Sequence, residues 1–276
     1  MNSRNILMTL ATAGLLTASS QAALVLWDGG TGSWSDSNWN GGGAAPAMDG
    51  TDDAQIDSGL VTYTPGGDFG LGFGSSNVTV SGGELTQTVS NWWQFDGSTV
   101  FTVSGGVVNT SANNVQFGNS GADTASLVIT SGEFNHTGNG EFKLRGGNTM
   151  TVSGGSFSSR FLSLGDFGAA TIDVSGGVFK INDGSIGANG IYIGSAGSYI
   201  DITANGVMNV GNISVSDAIT AYLDSDKVRF GGDIDNALLS VTDDGAGGVN
   251  ISAIPEPAAS SLIGMAGLLL LLRRRR

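Results

Sequence analysis

The hexapeptide Met150-Thr151-Val152-Ser153-Gly154-Gly155 carries the motif that decides the fold: an apolar-x-apolar triplet followed by serine and two glycines. Versions of this motif recur through the middle of the chain. They begin at Val78, Phe101, Leu127, Met150, Ile172 and Ile200, and the last copy has lost its glycines. Successive copies lie 22 to 28 residues apart. A period in the twenties combined with alternating apolar residues is typical of a solenoid.

Two further short strands are predicted in each repeat. One is an apolar-x-apolar segment, found at Leu71–Gly74, Trp93–Asp96, Val115–Gly118, Phe142–Arg145, Leu162–Gly165 and Ile191–Gly194. The other follows the glycines and is marked by Leu85, Val108, Phe134, Phe157, Phe179 and Met208. Three strands per repeat predict an all-β, right-handed parallel β-helix of about six coils over residues 66–212. The alternative, an antiparallel sandwich, gives no reason for a constant interval.

The alternation of the strands predicts which side chains face inward. One inward column contains Val80, Val103, Ile129, Val152, Val174 and Ile202. A second contains Phe95, Phe117, Leu144, Leu164 and Ile193. The glycine pairs are expected at the corners between faces, where a positive φ is needed.

The segments on both sides of the repeats are predicted to cover the ends of the solenoid. Residues 23–65 form an N-terminal cap in which Trp27, Trp34 and Trp39 are buried. Residues 213–254 form a C-terminal cap with a hairpin of strands 238–241 and 249–253. Within it, residues 217–223 are either a short helix capped by Asp217 or a strand. The Trp-rich opening followed by the repeats resembles autotransporter-like passenger proteins of bacteria.

Composition excludes several functional classes. The 276 residues include 46 glycines, one histidine and no cysteine. Disulfides, cysteine-based zinc sites, thiol nucleophiles and multi-histidine metal centres are therefore excluded. The 24 acidic residues exceed the 11 basic ones, which argues against nucleic-acid binding.

The N-terminus is predicted to be a secretory signal peptide, residues 1–22. Arg4 supplies its positive charge, an apolar stretch follows at residues 6–18, and small residues precede a cleavage site between Ala22 and Ala23. The alternative is a membrane anchor, for which the stretch is short.

The C-terminus has three parts in a fixed order. Pro255, Glu256 and Pro257 precede the uncharged stretch 258–272, which is followed by Arg273, Arg274, Arg275 and Arg276. We expect residues 258–272 to form a transmembrane helix, although about 22 Å of helix is short for a hydrocarbon core of about 30 Å. The arginines would remain cytoplasmic, so the body lies outside the inner membrane.

This order resembles the PEP-CTERM sorting signal of Gram-negative bacteria. The resemblance implies that a membrane enzyme, an exosortase, recognises Pro255, Glu256 and Pro257. It also implies removal of the tail and transfer of the protein to the cell surface or exopolysaccharide matrix. A plain single-pass tail anchor is the alternative.

Removing both ends changes the charge. Residues 23–254 contain six basic and 23 acidic residues, a net charge of −17. The body is therefore more acidic than the whole chain, at −13.

One face of the β-helix is a candidate ligand surface. Its outward residues would be Gln94, Gln116, Lys143, Ser163 and Tyr192, with Trp92 beside them. Exposed aromatic rings can stack on sugars, so Trp92, Gln94, Gln116, Lys143 and Tyr192 are the possible ligand residues. The alternative for Trp92 is that it covers the N-terminal cap.

Few other residues in the sequence indicate a catalytic or metal-binding site. Asp173 and Asp201 are expected one coil apart, as solvated acids or an incidental cation site, with a catalytic carboxylate pair as the alternative. His136 is expected in an exposed turn, and Lys143, Arg145 and Arg160 as surface charges. No cofactor is predicted, although the acidic loops 49–53 and 224–226 leave calcium as an open alternative.

These observations predict a non-enzymatic, exported surface or matrix protein. Its expected partners are the Sec machinery, the exosortase, the membrane before processing, and exopolysaccharide. A carbohydrate-binding or adhesion module is the first alternative, and a polysaccharide lyase or hydrolase is the second.

Overall fold

The computed structural model of the protein describes residues 22–64, 75–185, 190–233 and 236–254. Within these ranges the protein is all-β, with parallel strands wound into a solenoid of about seven turns. Helix is limited to a few short turns near the C-terminal end. The predicted parallel solenoid is confirmed, with one turn more than expected.

The strands, numbered in chain order, form three faces. Face 1 contains β1 (Ala23–Leu26), β3 (Asp52–Ile56), β5 (Val78–Val80), β8 (Val100–Thr110), β10 (Ser126–His136), β12 (Thr149–Val152), β15 (Thr171–Val174), β18 (Tyr199–Ile202) and β20 (Val228–Arg229). Face 2 contains β2 (Thr31–Ser33), β4 (Leu60–Tyr63), β6 (Glu84–Gln87), the second halves of β8 and β10, β13 (Ser156–Ser159), β16 (Val178–Ile181) and β19 (Val207–Val210). Face 3 contains β7 (Trp93–Phe95), β9 (Val115–Phe117), β11 (Glu141–Arg145), β14 (Phe161–Asp166) and β17 (Ile191–Ile193).

The core is a set of stacked side chains along the solenoid axis. Both predicted inward columns are buried. Aromatic rings stack between turns: Phe95 on Phe117 at 4.4 Å between centroids, and Phe157 on Phe179 at 5.1 Å. Each turn therefore buries its apolar face against its neighbours, as a solenoid requires.

Glycine at the corner between faces 1 and 2 has two roles. Gly132, Gly155 and Gly177 have φ between +66° and +80°, as expected for a corner that needs left-handed backbone. Gly106 does not need a positive φ, but a Cβ there would collide with the carbonyl oxygen of Gly83 in the preceding turn. Close stacking of the backbone, as well as φ, therefore requires the glycines.

The segment predicted as an N-terminal cap also contributes strands. β1 pairs in parallel with β3, and β2 pairs in parallel with β4, which is why about seven turns are seen where about six were expected. The three predicted tryptophans are buried, with the ring of Trp39 5.2 Å from Trp27 and 5.0 Å from Trp34. Asn40 closes part of the free edge of β1, because its side chain accepts from the N–H of Leu26 at 2.9 Å.

The other end is covered by a hairpin of β21 (Leu239–Asp243) and β22 (Val249–Ala253), and β22 pairs antiparallel with β19. The ambiguous segment is helical: α1 (Val215–Ala218) continues into a π-helical turn, Ile219–Leu223. Its N-cap is Ser214 and not Asp217, because Ser214 Oγ accepts from the N–H of Asp217 at 3.2 Å.

The described part of the chain contains no helix with the length and apolarity needed to cross a membrane. The predicted signal peptide up to residue 21 and the predicted transmembrane helix 258–272 lie outside the described residues.

Candidate ligand-binding face

Face 3 brings the predicted outward residues into one row. Strand pairing places Gln94 opposite Gln116 and Gln116 opposite Lys143. Ser163 follows Lys143, and Tyr192 follows Ser163. The side chains of this row differ in their exposure to solvent, however. Gln94, Gln116 and Ser163 are buried, whereas Tyr192 is 44% exposed. The predicted ligand face is therefore accessible mainly at its Tyr192 end.

Trp92 and Lys143 contact each other across the buried part of this row. The ammonium nitrogen of Lys143 lies 5.6 Å from the centre of the Trp92 ring, although the turn that carries Gln116 lies between their turns. The same nitrogen forms an ion pair with Glu141 at 2.7 Å. Trp92 is half-buried and lies at this contact, so it is not an open stacking platform.

A second aromatic side chain, which the sequence analysis missed, lies at the end of β14. Phe167 is 76% exposed and has a φ of +64°, unusual for a bulky residue. The guanidinium carbon of Arg145 lies 4.9 Å from the centre of its ring. Arg145 is on the preceding turn, and the strand register places it opposite Asp166.

The loop that carries Phe167 is fixed from both sides. Gly146 donates its N–H to the carbonyl of Asp166 at 3.0 Å, and Gly147 donates to that of Ala169 at 2.9 Å. On the other side, Gly168 donates to Ser195 Oγ at 3.2 Å. A side chain at residue 146 would collide with the Phe167 carbonyl oxygen, so this docking depends on glycine there.

Carboxylates lie beside the cations of this face. Gln94 Nε2 donates to both carboxylate oxygens of Asp96, at 2.9 and 2.7 Å. Burial raises the pKa of Asp96 above its ordinary value, while the Gln94 bond opposes the rise, Asp123 adds to it, and Arg145 lowers it. Burial would also raise the pKa of Asp123, but N–H donors from Ser120, Asn119 and Gly97 lower it overall.

Arg145 has unused hydrogen-bonding capacity. Among the described residues its guanidinium makes no hydrogen bond, and its Nε is buried without a partner. Ser163 donates to Asp166 Oδ2 at 2.9 Å. Arg145 and Asp166 thus lie at the exposed ring of Phe167, and the exposed Tyr192 is on the neighbouring strand, opposite Ser163. This combination can bind hydroxyl groups and stack on apolar ring faces.

A repeated motif could have revealed Phe167. The tetrapeptide Gly165-Asp166-Phe167-Gly168 occurs a second time at residues 67–70, which lie outside the described residues. The Asp and Gly on either side of the phenylalanine predict a turn at this position.

The prediction that His136 lies in an exposed turn was wrong. His136 ends β10, is 1% exposed, and belongs to an inward column with Gln87, Thr110 and Ser159. Its Nε2 lies 2.9 Å from the Ala112 carbonyl oxygen and its Nδ1 lies 2.9 Å from Ser159 Oγ. Burial lowers its pKa, and the bond to Ala112 partly opposes this.

The acidic pair is adjacent as expected. Asp173 and Asp201 face each other in the register of β15 and β18, and Arg229 follows on β20. Burial raises the pKa of Asp173, and the charge of Asp201 raises it further.

The described residues contain no group of three or more His, Cys, Asp or Glu side chains that could hold a metal. In the first of the two acidic loops for which calcium is an open alternative, residues 49–53, Asp49 accepts from Thr51, and Asp52 accepts from Ala47.

The predicted targeting residues are described only in part. Ala22 directly precedes β1, and Ala23 is its first residue. Pro255, Glu256, Pro257 and Arg273–Arg276 lie outside the described residues.

Comparison with known proteins found no matching family model, no matching curated protein and no matching solved structure.

Proposed function

We propose that the protein is an exported structural protein of the bacterial cell surface or exopolysaccharide matrix, sorted by an exosortase through its C-terminal segment. One observation carries the proposal: Pro255, Glu256 and Pro257, an uncharged stretch and four arginines follow one another directly after the body. The body ends at Ile254, whose N–H donates to the Leu238 carbonyl at 2.8 Å.

The body suits a structural role. It is a right-handed β-helix in this proposal, with most inner positions of its repeats filled by stacked apolar side chains and one inward column, Gln87, Thr110, His136 and Ser159, that is polar. Its net charge of −17 keeps it hydrated and disfavours self-association. Asn40 covers part of the β1 edge and the C-terminal hairpin covers the edge of β19, which limits uncontrolled edge-to-edge pairing there.

The sorting sequence follows from the two ends. Sec export ends with cleavage between Ala22 and Ala23. Residues 258–272 then hold the protein in the inner membrane, with Arg273–Arg276 on the cytoplasmic side. The exosortase recognises Pro255–Pro257 from the outer side and releases the body to the surface or matrix.

Tail variants test this proposal in the source bacterium. Deletion of Arg273–Arg276 should leave the protein unprocessed at its C-terminus and absent from the surface fraction. Replacement of the four arginines by lysines retains the positive charge, and should preserve membrane orientation even if recognition is weakened. Unchanged localisation and unchanged C-terminal length after the deletion would contradict the proposal.

Carbohydrate binding by face 3 is a second candidate function. The observation that favours it is the exposure of Tyr192 in the same row as Lys143. Polysaccharide cleavage remains the least favoured alternative.

A further inference from the structure

We infer that the open end of face 3 is a binding site for a neutral polysaccharide, with Phe167 and Tyr192 as stacking platforms and Arg145 and Asp166 as hydrogen-bonding groups. The inference rests on the second candidate function and is independent of C-terminal sorting.

The two aromatic rings form the first part of the site. Phe167 and Tyr192 are the two most exposed aromatic side chains among the described residues, at 76% and 44%. They belong to neighbouring turns, because β14 pairs with β17 and Ser163 lies opposite Tyr192. A flat ring stacks on the C–H face of a sugar and loses little side-chain freedom on binding.

Contacts within the protein already hold the two aromatic side chains in position. Three backbone N–H groups hold the Phe167 loop against both neighbouring turns: those of Gly146 and Gly147 donate to backbone carbonyls, and that of Gly168 donates to Ser195 Oγ. A left-handed φ at a phenylalanine persists only where the surroundings fix it. Tyr192 is likewise positioned, since its ring lies over Gly194, where a Cβ would approach the ring at 2.7 Å. Binding therefore does not have to order a mobile loop.

The polar groups select the class of ligand. Among the described residues the Arg145 guanidinium makes no hydrogen bond, and Asp166, opposite Arg145 in the strand register, accepts one from Ser163 through Oδ2. A sugar hydroxyl both donates and accepts, so it can bond to a guanidinium donor or to a carboxylate oxygen.

The negative charge of the protein disfavours an acidic polysaccharide as the ligand. Asp96 and Asp166 lie near Arg145, Glu141 is paired with Lys143, and the body has 23 acidic residues against six basic ones. This field repels a polyanion. An uncharged chain of hexoses meets no such repulsion.

Affinity electrophoresis of the full protein tests the site. Gels containing a soluble glucan, a mannan, a galactan or polygalacturonate are compared with a gel without polysaccharide. We expect retardation by at least one neutral polysaccharide. Phe167→Ala and Tyr192→Ala should each weaken that binding about three- to tenfold, the value of one stacking contact. Phe167→Leu, which keeps an apolar side chain but lacks the flat ring, should weaken it similarly.

Val178→Ala is the matched control, because Val178 is also apolar and 37% exposed but lies on face 2. It should bind as the parent does. The inference is overturned if no neutral polysaccharide retards the protein, if only polygalacturonate does, or if Val178→Ala loses as much affinity as the aromatic variants. The intact mass of the same preparation reports sorting separately, so failure of one proposal is distinguishable from failure of the other.

Discussion

His136 is a buried titratable group with a defined proton position. A carbonyl oxygen can only accept, so Nε2, which faces Ala112, carries the hydrogen. In the neutral ring Nδ1 accepts from the Ser159 hydroxyl. In the protonated ring Nδ1 donates to Ser159, whose hydrogen then turns to the Phe161 carbonyl at 2.9 Å. Burial favours the neutral ring, and the folded-state pKa lies below 6.5.

His136 should make the protein less stable as the pH falls. Because the unfolded chain binds the proton more tightly, this contribution to stability is complete above about pH 6.5 and is lost as the pH falls towards the folded-state pKa. We expect the free energy of unfolding in urea to decrease between pH 7.5 and 5.5. His136→Gln removes the titrating group, so its stability should change less over this range. An equal decrease in both proteins would contradict the role of His136.

Gly155 tests the close approach of successive turns. Its φ is +66°, and a Cβ would collide with the Gly132 carbonyl oxygen. Gly231 is the matched control, with a φ of +62° and no atom within 4 Å of its added Cβ. Gly231→Ala should cost about 1–2 kcal/mol of unfolding free energy, the cost of left-handed backbone. Gly155→Ala should cost at least about 3 kcal/mol, since backbone overlap is added. Equal costs in urea denaturation would show that φ alone requires the glycine.

Some residue positions could be predicted and others could not. His136 lies two positions after inward Phe134, so the alternation of the strand already indicated an inward side chain. The prediction failed because the polar sequence Asn-His-Thr-Gly is typical of a turn, whereas β10 continues as far as His136. Phe167 could not be placed by alternation, because it lies in a loop whose position depends on contacts with the neighbouring turns.

The stacked aromatic column is the main element of the core. Phe157 is fully buried, and its ring centre lies 5.7 Å from that of Phe134, 4.7 Å from Phe142 and 5.1 Å from Phe179. Phe157→Ala should lower the unfolding free energy by about 3–5 kcal/mol. In a solenoid each turn contacts mainly its neighbours, so hydrogen exchange should increase in β10, β13 and β16 more than in β1–β4.

Phe157→Leu is the control for that experiment, because it retains apolar volume and should cost less. A uniform increase in exchange along the whole chain would contradict the nearest-neighbour account and indicate one cooperative unit.

The strands and their inward columns of side chains were predicted well from the sequence. The alternation of apolar and polar residues, repeated at a nearly constant interval, determines the strands and their inward side chains without further information on tertiary contacts. It could not predict that Gln94 and Gln116 would be covered, because their burial accompanies a contact between Trp92 and Lys143 that crosses a whole turn. The first turns were also missed as repeats, since β1–β4 pair in parallel without carrying the Ser-Gly-Gly motif.

The proposed anchor sets the orientation of the whole molecule. Three residues separate Ile254 from the stretch 258–272, and they span at most about 11 Å. The C-terminal end of the solenoid should therefore face the bilayer. The N-terminal turn lies about six turn spacings away, and at about 4.8 Å per spacing it should lie roughly 29 Å further out.

The absence of native cysteine makes this orientation measurable. Leu238→Cys and Leu24→Cys place single thiols at partly exposed positions at the two ends. In vesicles that carry the anchored protein, a fluorescent label at residue 238 should be quenched by headgroup-linked nitroxides, and a label at residue 24 should not. Equal quenching at both positions would show that the solenoid lies flat on the membrane.

The intact mass of the protein recovered from its bacterium tests the central claim most directly, because one spectrum reports both ends. The 276-residue chain has a mass of 27.8 kDa. We predict a smaller species that begins at Ala23 and ends close to Pro257, before the apolar stretch. A species that has lost only residues 1–22, or one that retains the full mass, would contradict sorting by C-terminal processing.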